Sequence, residues 1–405
     1  VRVPRLLSFA IFLTVALAIL GGMHGYIWLR LVRDPGLPEP WRRLATWALV
    51  GAALLVPAGL ILARLSGRHL GRVVPLAAFV WLGLAFLLFS VLLAFDAARF
   101  LGWAVTAAGD WLRRLPEAPP DPERRQLLAR AAAGGTLLVA GSAGIASLRS
   151  AAGPAEIEEV AVRLERLPRA LSGFTIAQVS DLHVGPTIRE REVRRVVEQV
   201  NALRPDAVAI TGDLVDGSTR ELGAIVAELG RLRAPHGVFF VTGNHEYYSG
   251  VEDWLAFLPG LGVRVLRNER VALGDGAPGG ATFDLAGVDD WSARQFGGDH
   301  GMDLGRALAG RDPARSLVLL AHQPREVGAA VHRGVELQLS GHTHGGQIFP
   351  FSLAVRAAFP YVKGLYRHEE VGAAGQVYVS RGTGYWGPPM RLGAPPEIGK
   401  IVLTA

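Results

Sequence analysis

Thr175-Ile176-Ala177-Gln178-Val179-Ser180-Asp181-Leu182-His183 is a short, largely apolar run that stops on a carboxylate and an imidazole. The pattern returns four times. Ala207 to Thr211 stops on Gly212-Asp213, Val238 to Thr242 on Gly243-Asn244-His245-Glu246, Leu317 to Ala321 on His322, and Glu336 to Ser340 on Gly341-His342-Thr343-His344. Runs of this length, several of them β-branched, predict buried strands. Between the first two, Glu190 to Leu203 sets Val193, Val196, Val197, Val200 and Leu203 at helical spacing, with Arg191, Arg194 and Arg195 on the other face. That spacing predicts an amphipathic crossover helix whose charges are simply solvated. Strand, helix, strand repeated in this way predicts a layered α/β architecture that binds its ligand at the strand ends.

Taken singly, each polar residue has an ordinary reading as a helix cap, a turn asparagine or a surface histidine. Five blocks together, drawing in 5 of the 11 histidines, point to a metal site. Imidazole, carboxylate and amide oxygen suit borderline divalent ions such as Zn, Mn, Fe, Co or Ni, and a chain without cysteine offers no thiolate for softer ions. In Asp181-x-His183 and His342-x-His344, alternation along an extended segment would turn both side chains toward one centre. Gly212, Gly243 and Gly341 would let the backbone turn and approach closely. Other motifs fall away. Gly274 to Gly279 fits a dinucleotide-binding string but carries Pro278 and is expected to be a hairpin loop. No zinc-protease helix follows His245-Glu246, because the next residues are Tyr247-Tyr248-Ser249-Gly250. Glu246 would orient His245 or make a local salt bridge, the latter being the simpler expectation. His300 and His332 read as structural or surface residues, and His368 carries no signal.

The ordered set Asp-x-His, Gly-Asp, Gly-Asn-His-Glu, His, Gly-His-Thr-His over residues 174 to 345 resembles the calcineurin-like metallophosphoesterases. Gly345-Gly346-Gln347-Ile348, Tyr378-Val379-Ser380-Arg381-Gly382 and Pro395-Pro396-Glu397-Ile398 look like their membrane-associated bacterial branch, of which a related group cleaves the pyrophosphate of a UDP-linked diacylglucosamine. The resemblance implies a layered αββα domain with two divalent metal ions. Asp181, His183, Asp213 and His344 would hold one ion, and Asp213, Asn244, His322 and His342 the other, so that Asp213 bridges. His245 would serve as general acid. Two ions sharing a carboxylate neutralise phosphate oxygens and activate water near neutral pH.

The rest of the chain says where this chemistry sits. Half of the 405 residues are apolar and mean hydropathy is +0.27, which excludes disorder. Residues 1 to 150 hold 16 arginines against 7 acids, while the remainder holds 26 basic residues against 29 acids. The basic isoelectric point therefore belongs to the front of the chain, as arginines flanking membrane segments rather than a nucleic-acid surface. Leu6 to Leu29, Leu44 to Ala63 and Val73 to Phe95 are uncharged and each long enough to span a bilayer. Trp28, Trp41 and Trp47 stand near their ends, where indoles favour the headgroups.

A fourth segment, Ala131 to Leu148, follows Glu123-Arg124-Arg125-Gln126-Leu127-Leu128 and resembles a twin-arginine export signal joined to an anchor; the alternative is a helix lying on the membrane or packed on the other spans. The expected organisation is thus transmembrane helices in 1–115, a linker with this candidate span in 116–155, and the α/β domain in 156–405. Proline-dense 116–123 and small-residue 150–155 would be the linkers. With four spans, ten arginines collect on one side against six on the other, which places a multi-pass protein in a bacterial plasma membrane with its catalytic domain outside the cytoplasm. With three spans, that domain is cytoplasmic.

Phe349, Pro350, Phe351, Leu353, Phe359 and Tyr361 form an apolar, loop-like stretch, read either as a packed excursion or as a lipid-facing cover near the bilayer. Arg381, after a strand, is a candidate phosphate clamp. The expectation is a membrane-anchored phosphoesterase for a lipid or lipid-linked phosphomonoester, phosphodiester or pyrophosphate. The competing class is a catalytically idle metal-binding scaffold on a membrane protein.

Overall fold

The structure is a computed structural model that describes residues 5–65, 70–113, 121–274 and 280–405. Two expected loops, most of the 116–123 linker and the segment 275–279, lie outside the described residues. The chain divides into two compact units, residues 1–148 and 149–405.

The first unit is helical. Helix α1 covers Arg5–Trp28 and runs into one wide π-turn, Leu29–Arg33; α2 is Trp41–Leu65, α3 is Leu70–Arg113 and α4 is Pro122–Ala152. Among the described residues, four segments are long and apolar enough to cross a membrane: Ala10–Arg33, Trp41–Leu62, Val73–Gly109 and Pro122–Ala152. Helix α3 extends well past the expected end at Phe95, since Asp96 and Arg99 meet ionic partners on the same unit instead of breaking the helix: Asp96 pairs with Arg30 at 2.7 Å. Helix α4 likewise runs through the small residues 150–152, and Gly153 N–H closes it on Arg149 C=O at 3.0 Å. The linker expected at 150–155 shrinks accordingly.

The second unit stacks two six-stranded mixed sheets. One has the order β1 (Glu156–Arg163), β12 (Glu397–Thr404), β2 (Thr175–Val179), β3 (Ala207–Thr211), β4 (Val238–Val241), β5 (Val263–Val265). The other runs β10 (Gly364–Glu370), β11 (Ala373–Val379), β9 (Leu337–Ser340), β8 (Leu317–Leu320), β7 (Thr282–Gly287), β6 (Glu269–Gly274). The strands β2 to β5 are parallel, as are β7, β8, β9 and β11.

Alternation explains the layering. Ile176, Ala207, Ala209, Phe239 and Val241 join Phe283, Leu285, Val318, Leu320, Leu337 and Leu339 in the core between the sheets. Their neighbours Ala177, Val179, Val208, Ile210, Val238 and Phe240 point the other way, onto Val193, Val196, Val197 and Val200 of helix α5, Glu190–Ala202. On the far side, Ala286, Leu317 and Leu319 pack under Ala307, Leu308 and Ala330. Strands buried on both faces read as continuous apolar runs, and the order is helix, sheet, sheet, helix. Side by side, β2, β3 and β4 end at one edge of their sheet, and β8 and β9 do the same in theirs.

Candidate metal centre

Two buried glutamines lie beneath that edge, and the first ties the sheets together. Gln178 donates to Thr211 Oγ1 and to Ser340 C=O, both at 2.9 Å, and Gln338 donates to Gln323 C=O at 3.1 Å. Above them the strand-end residues converge. Ligand atoms of Asp181, His183 and His344, of His183, Asp213 and His245, and of Asp213, His322 and His342 each lie within 4.8 Å of one another. Asp213 and His183 each belong to two of these groups: Asp213 Oδ2 lies 3.1 Å from His322 Nε2 and 3.9 Å from Nε2 of both His183 and His245.

The local backbone differs from the extended alternation expected for Asp-x-His and His-x-His. Asp181, His183, Asp213, His342 and His344 all have left-handed φ, between 50° and 72°. Each such residue costs on the order of 1–3 kcal/mol and persists only where the surroundings enforce it. The strands have already ended at Val179 and Ser340, so turns, not pleats, aim these side chains. Enforcement is visible: Asp181 N–H bonds Gly212 C=O and His183 N–H bonds Asp213 C=O, both at 3.0 Å. The glycines are required as expected, since a Cβ on Gly243 would stand 2.2 Å from Asp213 Oδ1 and one on Gly341 2.0 Å from Ser180 Oγ.

Second partners set how each imidazole is presented. His322 Nδ1 donates to Thr211 C=O at 2.8 Å, leaving Nε2 for the centre. Asp216 Oδ1 accepts from His183 Nδ1 at 3.1 Å and from His245 Nδ1 at 2.6 Å. Burial pushes the His245 imidazole down, but the Asp216 hydrogen bond and the Asp213 charge outweigh it and hold it up at about 9. Burial and the neighbouring His322 push His342 down to about 3. Burial and the Arg391 guanidinium keep His344 well below the usual imidazole range. Neutral imidazoles are the form that binds metal.

Asn244 supplies an independent test of fit: its Oδ1 is buried without a hydrogen-bond partner. An orphaned amide oxygen beside imidazoles and carboxylates is what a divalent cation would satisfy. The donor set therefore fits divalent ions, with no sulfur among it.

Two residues depart from expectation, and two more were not foreseen. Glu246 neither pairs with a cation nor reaches His245. It is 1% exposed, and its carboxylate accepts the backbone N–H groups of Asp213, Leu214, Val215 and Gly243 at 2.6–3.3 Å, clamping the Asp213 turn. Arg381 does not serve as an open phosphate clamp, because its guanidinium is held by Glu397, Glu156 and Glu158. Arg391, missed in the sequence, is buried and donates to His344 Nδ1 at 3.2 Å and to a ring of carbonyls. Asp216 was missed as well, though it stands three residues after Asp213 in the same block. Outside the cluster, His300, His332 and His368 pair with Glu252 and Glu370, as structural or surface histidines do.

Around the cluster stand aromatic rings. Tyr248 and Trp386 lie 5.5 and 5.6 Å from the His245 ring, and Phe359 lies 5.6 Å from His342. The stretch after His344 is not a loop: Phe351–Ala358 forms a helix that buries Val355 and leaves Phe351 and Leu353 outward.

The family model described as calcineurin-like phosphoesterase matches residues 174–346. A Danio rerio protein named transmembrane protein with metallophosphoesterase domain is 33% identical over 401 residues, covering 96% of this chain and 87% of its own length. A Bos taurus protein of the same name is 43% identical over 271 residues, 64% of this chain and 60% of that one. A Helicobacter pylori metallophosphoesterase is 41% identical over 249 residues, 61% of this chain and 64% of that one. The chain thus spans less than two thirds of the length of the cattle and Helicobacter relatives. With four helices apolar enough to cross a membrane and this match from end to end of the strand-end blocks, the chain belongs to the calcineurin-like phosphoesterase family, as a member with a membrane-helical unit before its metallophosphoesterase domain.

Proposed function

We propose that the protein is a membrane-anchored, binuclear-metal phosphoric ester hydrolase. The observation that carries this reading is the Asp213 carboxylate, grouped with His322 and His342 on one side and on the other with His183, which in turn groups with Asp181 and His344; the buried Asn244 oxygen without a partner adds to it. Asp181, His183, Asp213 and His344 would hold one ion, and Asp213, Asn244, His322 and His342 the other. Two divalent ions (Mn, Fe, Zn, Co or Ni) would neutralise the phosphate and supply a hydroxide-like nucleophile at neutral pH. His245, held protonated by Asp216, donates its proton to the departing oxygen. Asp216 keeps that imidazole aimed and charged, and the Glu246 clamp keeps the Asp213 turn in place.

The substrate in this reading is a lipid or lipid-linked phosphodiester, pyrophosphate or phosphomonoester, with a UDP-linked diacylglucosamine as one example. It is supported by the apolar surface after the last ligand block: Phe349, Phe351 and Leu353 are 52–57% exposed, as is Trp386. Such a patch is usual where a protein meets an apolar partner. In this reading the bilayer is a bacterial plasma membrane, and the arginine count supports a catalytic unit outside the cytoplasm, the alternative being a cytoplasmic one.

The test is purified full-length protein with metal added back, assayed on chromogenic mono- and diesters and then on membrane phospholipids and nucleotide-linked lipids. Metal-dependent hydrolysis, stronger on acylated than on water-soluble esters, is expected. Full metal loading without hydrolysis of any ester would leave the idle scaffold. Reporters fused after Ala405 decide the side: activity of one that matures only outside the cytoplasm supports the proposed orientation, and activity of a cytoplasmic one reverses it.

A further inference from the structure

The loop after β7 forms a sixth strand-end block, Asp289-Asp290-Trp291. Asp290 is 1% exposed; its carboxylate accepts Ser292 N–H at 2.8 Å and Gln323 Nε2 at 3.0 and 3.2 Å, and its own N–H donates to Thr242 Oγ1 at 3.1 Å. One buried carboxylate therefore ties the loop carrying Trp291 to the segment His322-Gln323-Pro324-Arg325, whose first residue belongs to the metal centre. Across that tie the Arg325 guanidinium carbon sits 4.4 Å from the Trp291 ring centroid and 6.0 Å from that of Phe359. Phe359 packs edge-on against His342 at 5.6 Å.

Arg325 differs from the other two arginines of this region. Arg381 is neutralised by three carboxylates, and Arg391 is buried among carbonyls. Arg325 is exposed and, among the described residues, has no carboxylate within ion-pair reach. A guanidinium that rests its face on aromatic rings keeps its in-plane N–H groups free, and that fork matches two phosphate oxygens.

We infer that Arg325 is the substrate-binding cation of this site, taking the phosphate on the His322–His342 side of the centre while Trp291 and Phe359 hold the guanidinium flat. The inference rests on the phosphoesterase reading for its substrate class, and its test is separable from that reading.

Full-length wild type, Arg325→Ala, Arg325→Lys and Trp291→Leu, each with metal added back, are compared by bound metal, by calorimetric binding of inorganic phosphate, and by KM and kcat on a chromogenic ester. Arg325→Ala should bind phosphate about 10- to 100-fold more weakly, as loss of a charge-assisted pair does. Its KM should rise by a similar factor, with metal content kept and kcat nearly unchanged. Arg325→Lys should recover part of the loss, and Trp291→Leu should show a smaller loss in the same direction. Unchanged phosphate binding in Arg325→Ala overturns the inference, and so does loss of metal from that variant, which would make the residue structural. If wild type hydrolyses no ester, the phosphoesterase reading fails, yet the phosphate isotherms still decide the role of Arg325.

Discussion

Leu138 on α4 is 71% exposed, and Leu339 on β9 is not exposed at all. The same side chain is turned outward in one unit and hidden in the other, and the contrast holds widely. Phe12, Trp47 and Trp111 of the helical unit are 69–78% exposed, whereas Phe240, Phe283 and Tyr378 of the sheet unit are fully buried. Polar groups show the reverse. In the helical unit they pair inward: His24 Nε2 accepts from Trp81 Nε1 at 2.9 Å, and Asp96 takes both Tyr26 and Arg30. In the sheet unit they crowd at the strand ends. One unit is built for hydrocarbon and pairs several of its polar side chains internally; the other is built for water and collects its polar groups where chemistry is done.

The comparison breaks most visibly at Asp213. If the strand-end cluster serves ions rather than stability, Asp213→Asn should abolish turnover and lower bound metal while the metal-free protein still folds, with at most a modest fall in melting temperature as the imidazoles of His322 and His245 lose their carboxylate partner. Unfolding of that variant would mean that the cluster is part of the scaffold.

His245→Ala sharpens the same point with a smaller effect. Rate should fall about 10²- to 10⁴-fold with metal retained, the usual contribution of a general acid. The loss should shrink on esters with good leaving groups such as nitrophenol. Equal losses on good and poor leaving groups would assign His245 to binding instead.

The two solvents themselves are compared by truncating one apolar side chain in each unit. Phe240→Ala should cost about 3–5 kcal/mol of the sheet unit's stability, read by chemical denaturation in detergent. Leu138→Ala should stay within about 0.5 kcal/mol. A large loss at Leu138 would show that this face of α4 is packed against protein rather than lipid.

How much was legible follows the same division. Strands β2, β3, β4, β8 and β9 and helix α5 could be read because burial on both faces leaves long apolar runs and one charged helix face. The residues that end those strands could be read because their types are rare in such positions. Asp216, Asp290 and Arg391 were harder: an aspartate near a turn looks like a cap, and only the fold shows that Asp216 reaches two imidazoles. The choice between Arg381 and Arg391 depends on the path of the chain from 382 to 394, which returns the second arginine beneath His344, and no local pattern encodes that return. The helix at Phe351–Ala358 looked like a loop since it buries little more than Val355. The overrun of α3 past Asp96 came from an ion pair made by residues 66 positions apart.

The pairing of β12 with both β1 and β2 bears on the order in which the protein is made. Eight residues of β12 register with all eight of β1, and on the other side β12 runs antiparallel to β2. Every metal-centre residue from Asp181 to His344 has thus been synthesised before the strand that joins the unit's first strand to its second. Until β12 arrives, β1 and β2 each present an unpaired edge, and their closure is a contact between residues far apart in sequence, the slow kind. A nascent chain already tethered by its helices would therefore carry the whole ligand set on an open sheet, and chaperones or proteases at the membrane would meet that open form first.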